Sequence, residues 1–533
     1  MTRKYWWLPG GLSLLGILLL SAGPIGALLV QSSQHAWSRL LHDSYLHHVI
    51  WFSFYQALLS TLLSLVLAIP LAQALSRRYF TGRKLLLRLF GLSLVLPVIL
   101  VVFGIVTVHG RQGWINQLLQ AAGFESVGYL YGLTGILLAH VFFNMPLAAR
   151  IVLQGIDAIP ASHWRMASQL GFTGWQLFRW LEWPVIRSAL PALASMIFML
   201  CFTSFATVMA LGGGPKSTTL EVAIYQALRF DFDLPFAGML ALLQLVFCSG
   251  FLLLQYRLTK SSPEQAGRHP CRLRPDRDLI RVRIWDAVIL TICLGIFLPP
   301  LLAIISNGIN PRLWSALTSA VLWHATLTSV LIATGAAVLS ILLTVGLLSS
   351  SRYLRLQLRH RAAAGLMEAT GSVILVLPAV VLSTGLFILL RNVADVFTLG
   401  PVLVLLVNAL MALPYGLRAL QLPMERVAQQ YNRLCTSLDI GGWSRIKHVE
   451  WPLLRKPLAL AFALAMMLSL GDLSAIALFG SQSLQTLPWL LYQQLGNYQM
   501  TDAAATALVL LVLSLSLFGL VEGVLGGKDA ATD

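Results

Sequence analysis

The feature that most constrains this chain is its succession of about twelve long apolar runs. A helix needs roughly 20 mainly apolar residues to cross the hydrocarbon of a bilayer. Runs of that kind occupy 11–30, 52–75, 89–108, 132–153, 189–211, 234–256, 286–306, 325–349, 371–390, 400–421, 458–480 and 503–525. Inside a membrane every backbone N–H and C=O must pair within its own segment, so the runs are expected to be helices. Only 11% of the residues are charged, against about 25% in a typical soluble domain. A large water-soluble domain is thereby excluded, and the expected fold class is an all-α membrane protein. The first run follows Arg3 and Lys4 but exceeds the roughly 7–15-residue core of a signal peptide, so it reads as a retained first helix.

Charge gives the direction of the helices. The chain carries a formal +16, which on a soluble protein would raise nucleic-acid binding. Here the basic residues sort by loop instead. If the N-terminus is cytoplasmic and the spans alternate, 31 of the 37 Lys and Arg fall on the cytoplasmic side. Arg39, Arg111, Lys216, Arg229, Arg312 and Arg391 fall on the other. Basic loops stay inside, so both termini are expected in the cytoplasm of a bacterial inner-membrane protein, with lipid as a partner and no nucleic acid. The segment 257–284 is polar, with three prolines and eight basic residues between Arg257 and Arg283. It reads as a solvated cytoplasmic linker between a first half, 1–256, and a second half, 285–533. The five cysteines show no C-x-x-C spacing and are expected to be unpaired thiols. His42, His47 and His48 lack a metal-ligand pattern and read as interfacial histidines.

The two halves are repeats. Leu170–Pro184 (LGFTGWQLFRWLEWP) aligns without gaps on Leu438–Pro452 (LDIGGWSRIKHVEWP) at an offset of 268. Trp175 meets Trp443, Glu182 meets Glu450 and Pro184 meets Pro452. The same offset pairs Pro146 with Pro414 and Arg150 with Arg418. Six spans per half is an even number, so both copies enter the membrane alike, giving a parallel repeat about an axis along the membrane normal.

The matched loops, about 157–188 and 425–456, each lie between the fourth and fifth spans of a half. Each reads as a short amphipathic helix, a tight turn and a second segment ending at Pro184 or Pro452. Trp164, Ala167 and Leu170 recur at helical spacing. Gly171 and Gly174 permit a sharp turn, and Asp439, in place of Gly171, is among the residues that tolerate a left-handed conformation.

These loops resemble the EAA loops of binding-protein-dependent ABC importer permeases. Both depart from that pattern, with Arg165-Met166-Ala167 and Arg433-Leu434-Cys435 standing where Glu-Ala-Ala would be. The resemblance implies a MetI-like type I importer permease fold, with the loops as coupling helices seated on a cytoplasmic ATPase. It assigns that role to Arg165, Ala167, Leu170, Gly171, Gly174, Trp175, Glu182 and Pro184, and to Arg433, Leu438, Asp439, Gly442, Trp443, Glu450 and Pro452. HGRQGW (109–114), AHVFFNMP (139–146), IFMLCFTSFATVMALGGGP (197–215), AIYQAL (223–228) and LSLGDLSAIALFG (468–480) resemble the thiamine ABC transporter permeases over nearly the whole chain. That implies passage of thiamine or its phosphates, two ATPase subunits carrying ATP and Mg, and a periplasmic thiamine-binding protein. A fused permease for ferric iron is the alternative on substrate.

The residues alone leave an ion-coupled secondary transporter open as another class. Gly212–Ser217 only superficially suggests a phosphate loop, because Pro215 separates Gly214 from Lys216. The chain is therefore expected to be no enzyme and to bind no cofactor, with hydrolysis on a partner. Asp472 is an ionisable residue in an apolar run, which either lines a wet pathway or caps and packs a bend beside Gly471. With Ser204, its match in the first half, and Asn144, it forms the candidate pathway set.

Overall fold

The computed structural model describes residues 7–32, 34–93, 95–258, 274, 276, 279–481 and 484–526. Most of the linker, including Gly267 and Cys271, lies outside the described residues. Among those described there is no strand. The first half contains α1 (Leu8–Gln31), α2 (Ser44–Arg77), α3 (Arg83–Leu92), α4 (Val98–His109) and α5 (Leu133–Asp157). It continues through α6 (Ala161–Gln169), α7 (Trp183–Phe202), α8 (Phe205–Leu211), α9 (Leu220–Arg229) and α10 (Leu234–Leu258). The second half contains α11 (Ile280–Gly308), α12 (Ala320–Leu356), α13 (Arg361–Val373), α14 (Ala379–Leu390) and α15 (Gly400–Ser437). It ends with α16 (Trp451–Leu470), α17 (Ser474–Phe479), α18 (Leu487–Gly496) and α19 (Met500–Gly526). Eleven of the described helices are long and apolar enough to cross a membrane, or twelve with one bent pair counted as a span.

Four runs expected as single helices are broken. The third is split between α3, which ends at Leu92, and α4, which follows Pro97, and the ninth bends by 93° where α14 follows Pro378. A proline has no N–H to give and pushes the residue before it out of the α region; Leu377 is accordingly extended, with ψ 102°. The fifth and eleventh runs begin earlier than expected and break at Thr203–Ser204 and at Gly471–Leu473. Upstream of those two helices, Phe178–Glu182 and Ile446–Glu450 are π-helical. Pro184 and Pro452 then occupy the first turn of α7 and α16 rather than closing a separate segment. A widened turn relieves the clash of each proline ring with the carbonyl four residues back. The short helix of the second loop is also continuous with its span, because Ala428 stands where Pro160 interrupts the first copy.

Each half lends its first helix to the other. α1 packs on α12 and α14, while α11 packs on α2 and α4. At the crossings a Cβ on Gly104 would lie 2.5 Å from the Pro300 carbonyl oxygen, and one on Gly385 would lie 2.8 Å from that of Pro24. Only glycine allows so close a backbone approach. The contacts between loops respect the two sides expected from charge. Arg39 pairs with Asp233 at 2.9 Å, Arg312 with Asp502 at 3.2 Å, and Arg229 donates to the Gly480 carbonyl at 3.1 Å. The loops expected on the opposite side hold a separate network, described next.

Candidate functional site

The two loops fold alike. In the first, α6 buries Trp164 and Ala167 and ends where the Phe172 N–H donates to the Ala167 carbonyl at 2.9 Å. In the second, the Ile440 N–H donates to the Cys435 carbonyl at 2.8 Å. This six-to-one closure leaves a left-handed residue just past the helix, and Gly171 (φ 68°) and Asp439 (φ 50°) fill that place. Gly174 and Gly442 also have positive φ, 46° and 54°. A Cβ at either would meet nothing within 4 Å, so what glycine contributes there is conformation rather than space.

Leu170 does not share the buried face with Trp164 and Ala167, as its spacing suggested. The helix stops at Gln169, and Leu170 turns outward. Leu438 does the same. Met166, Leu170 and Trp175 are exposed, and so are their counterparts at the same offset, Leu434, Leu438 and Trp443, with the two tryptophans 68% and 76% accessible. Arg165 and Arg433 are exposed beside them. Repeated exposed apolar groups rimmed by charge mark an interaction surface. The first loop also borders a groove of about 600 Å³ lined by Ala158, Ile159, His163, Phe172 and Leu181 among others.

The paired glutamates are held differently. Glu450 accepts from Arg352 at 2.7 Å and from Arg445 at 3.1 Å. Glu182 is fully buried and accepts from Gln73 and from Arg274 of the linker. Arg274 also donates to Ser76 Oγ at 2.9 Å and lies 4.5 Å from the centre of the Trp164 ring. Arg77 joins Asp276 at 2.9 Å to Asp286, at the start of α11, at 3.0 Å. Burial disfavours the Asp276 carboxylate, but Arg274 and Arg77 outweigh it and hold the group below the ordinary carboxylate range. Sequence reasoning treated the linker only as a basic connector. Nothing local sets Arg274 apart from its basic neighbours; the signal lies in how the two halves differ.

The pathway candidates do not form one cluster. Asn144 is buried and donates to Cys201 Sγ at 3.2 Å. Ser204 sits at the break after α7, its Oγ 2.9 Å from His140 Nε2, and His140 Nδ1 lies 2.8 Å from Ser60 Oγ. The second-half position matching His140 is Asn408, which donates to Ser469 Oγ at 2.9 Å. This pair of buried polar centres was missed, because one histidine and one asparagine share no residue type. Asp472 is partly exposed at the break after α16, where its carboxylate accepts from the Ser474 and Ala475 amides at 3.0 and 3.1 Å. A Cβ on neighbouring Gly471 would lie 3.0 Å from the Pro97 Cα, so this break rests against the break of the first half's third span.

The other candidate motifs have structural explanations. His42, His47 and His48 each contact a backbone carbonyl, those of Ser38, Leu40 and Lys216. Gly213 and Gly214 form a positive-φ turn before a short 3₁₀ segment, Pro215–Ser217. Cys201, Cys248, Cys293 and Cys435 are buried free thiols.

Residues 60–261 and 343–524 each match the family described as binding-protein-dependent transport system inner membrane component. The chain is 46% identical over 529 residues to the thiamine transport system permease protein ThiP of Salmonella typhimurium, covering 99% of this chain and 98% of the relative. It is 47% identical to the protein of the same name from Escherichia coli, with the same coverage. For the Haemophilus influenzae protein the figure is 42% over 511 residues, 95% of this chain and 94% of that one. A solved bacterial alginate ABC transporter, in complex with an alginate pentasaccharide-bound periplasmic protein, gives a TM-score of 0.43 at 18% identity, covering 49% of this chain and 97% of that one.

Proposed function

The chain belongs to the family of inner-membrane components of binding-protein-dependent transport systems, and on that premise we propose that it is the fused two-half permease of an ATP-driven importer, carrying thiamine or its phosphate esters from periplasm to cytoplasm. The observation that carries the importer reading is the pair of like-folded loops 268 residues apart, each exposing the same three apolar positions. Two equal surfaces suit two ATPase subunits, which would bind the ATP and Mg. When those subunits close, they would draw the loops together, and the continuous helices from Trp175 to Phe202 and from Gly442 to Leu470 would carry the motion to the broken spans. The substrate reading is supported by the near full-length identity to permeases named for thiamine transport.

Where the fifth and eleventh spans break, the chain supplies polar groups, Ser204 beside His140 and Asp472. Thiamine bears a fixed positive thiazolium, and a carboxylate at Asp472 would lower the barrier to a cation. A periplasmic thiamine-binding protein would deliver the substrate to the opposite face, where the 212–219 loop and the Arg229–Gly480 contact lie. The termini would be cytoplasmic. The test is uptake of labelled thiamine by cells expressing the chain with its ATPase and binding protein. ATP depletion with the proton gradient intact should abolish it. Uptake that survives ATP depletion would instead indicate an ion-coupled carrier, and ferric iron uptake without thiamine uptake would overturn the substrate.

A further inference from the structure

The two loops fold alike but are held unequally. Ser53 and Ser329 do the same task in the two halves, their hydroxyls accepting from the amides of Leu220 and Leu487 at 3.0 and 2.8 Å. They fix the register of α2 on α12 at 329 − 53 = 276. At that offset Arg352, which pairs with Glu450, corresponds to Ser76. At the loop offset of 268, Arg445, the second cation on Glu450, corresponds to Leu177. The first half therefore has neither arginine, yet it keeps the glutamate and buries it more deeply, at 0% side-chain exposure against 12% for Glu450. A carboxylate buried without a cation is strongly destabilising. Arg274 fills the gap. It reaches Glu182 from the linker, donates to the hydroxyl of the very residue that replaces Arg352, and stacks on Trp164 of the first coupling helix. Asp276 then ties it through Arg77 to Asp286.

We propose that Arg274 is a positioning residue for the first coupling loop. It is a cation supplied by the link between the halves in place of the one that the second half carries in its own span. The consequence is asymmetric coupling. Among the described residues, the glutamate of the second loop takes its cations from its own half, whereas that of the first takes one from the segment that leads into the other half. Movement of the first loop relative to α2 must therefore load the linker and the start of α11. This rests on the importer reading for its functional readout, but the brace itself can be tested without it.

The test uses the full chain as Arg274→Gln, Ser76→Arg, Ser76→Arg/Arg274→Gln and Glu182→Gln/Arg274→Gln. In detergent micelles, Arg274→Gln should lower the melting temperature. Ser76→Arg/Arg274→Gln should restore it, because an arginine on α2 recreates the second-half arrangement. An equal loss in both would overturn the brace whatever the protein transports. With the ATPase and binding protein in proteoliposomes, Arg274→Gln should reduce the ratio of stimulated to basal hydrolysis about tenfold, within the usual range of coupling effects. Ser76→Arg/Arg274→Gln should return it to within about twofold. If Arg274→Gln does not fold, Glu182→Gln/Arg274→Gln, relieved of the unpaired charge, still reads the function. It should fold and couple poorly, and wild-type coupling in it would overturn the proposal. Failure of the wild-type complex to show any stimulation would count against the importer reading and leave the melting comparison to decide the brace.

Discussion

Asp472 illustrates how one side chain can meet a structural demand and still be available for a functional one. Its two oxygens cap α17 through the Ser474 and Ala475 amides, which accounts for a carboxylate at a break in an apolar run. The capping reading made from sequence is thus the one visible in the geometry, and its partial exposure leaves room for an effect on a passing cation. Asp472→Asn preserves one capping oxygen and removes the charge. Thiamine uptake should fall at unchanged protein level, and wild-type uptake would confine Asp472 to capping. Asp276 makes the second residue-scale prediction. Its folded value is depressed by Arg274 and Arg77, so its stabilisation is fully present above the ordinary carboxylate value of about 4 and is lost as pH falls through the lower folded value. The melting-temperature gap between wild type and Asp276→Asn should therefore stay constant from about pH 8 to 5 and shrink only below about pH 4. A gap that closes near neutrality would contradict the assignment.

At the scale of the element, the two repeated loop hairpins are where sequence reasoning reached furthest. Glycine or aspartate at 171 and 439 announces a left-handed position, and both hold one. Gly171→Asp, which copies the second loop, should therefore leave transport nearly unchanged. Gly174 is different, since its φ 46° and ψ −108° suit no L-residue. A side chain there costs at least the roughly 1–2 kcal/mol of a left-handed L-residue. Gly174→Val/Gly442→Val should insert normally and lose stimulated ATP hydrolysis; full transport would remove the hairpins from the mechanism. The breaks in the third and ninth spans were less legible. Pro97 and Pro378 were in plain view, but an apolar run reads the same whether it crosses straight or bends. The outward turn of Leu170 escaped helical spacing because the helix ends one residue earlier. The unequal bracing of Glu182 and Glu450 was hidden for another reason. It depends on a contact between residues 92 apart, and periodicity carries no information about such a pair.

Across the whole molecule, the offset of 268 was visible in sequence and organises the loops, the π-turns and the broken fifth and eleventh spans alike. The exchange of first helices was not visible, because the proline and glycine at each crossing belong to different halves. The basic loops predict the sidedness, and a periplasm-dependent reporter tests it. Fusions after Gly213 or Gln482, the latter outside the described residues, should be active, and one after Gly267 silent. Activity at Gly267 would overturn the arrangement of six spans on either side of the linker. The most direct measurement of the central proposal is transport by the purified chain, reconstituted in proteoliposomes with its ATPase and binding protein. Labelled thiamine or a thiamine phosphate should accumulate only when ATP is present on the side of the coupling hairpins. Accumulation without ATP, or hydrolysis that neither substrate nor binding protein stimulates, would contradict it.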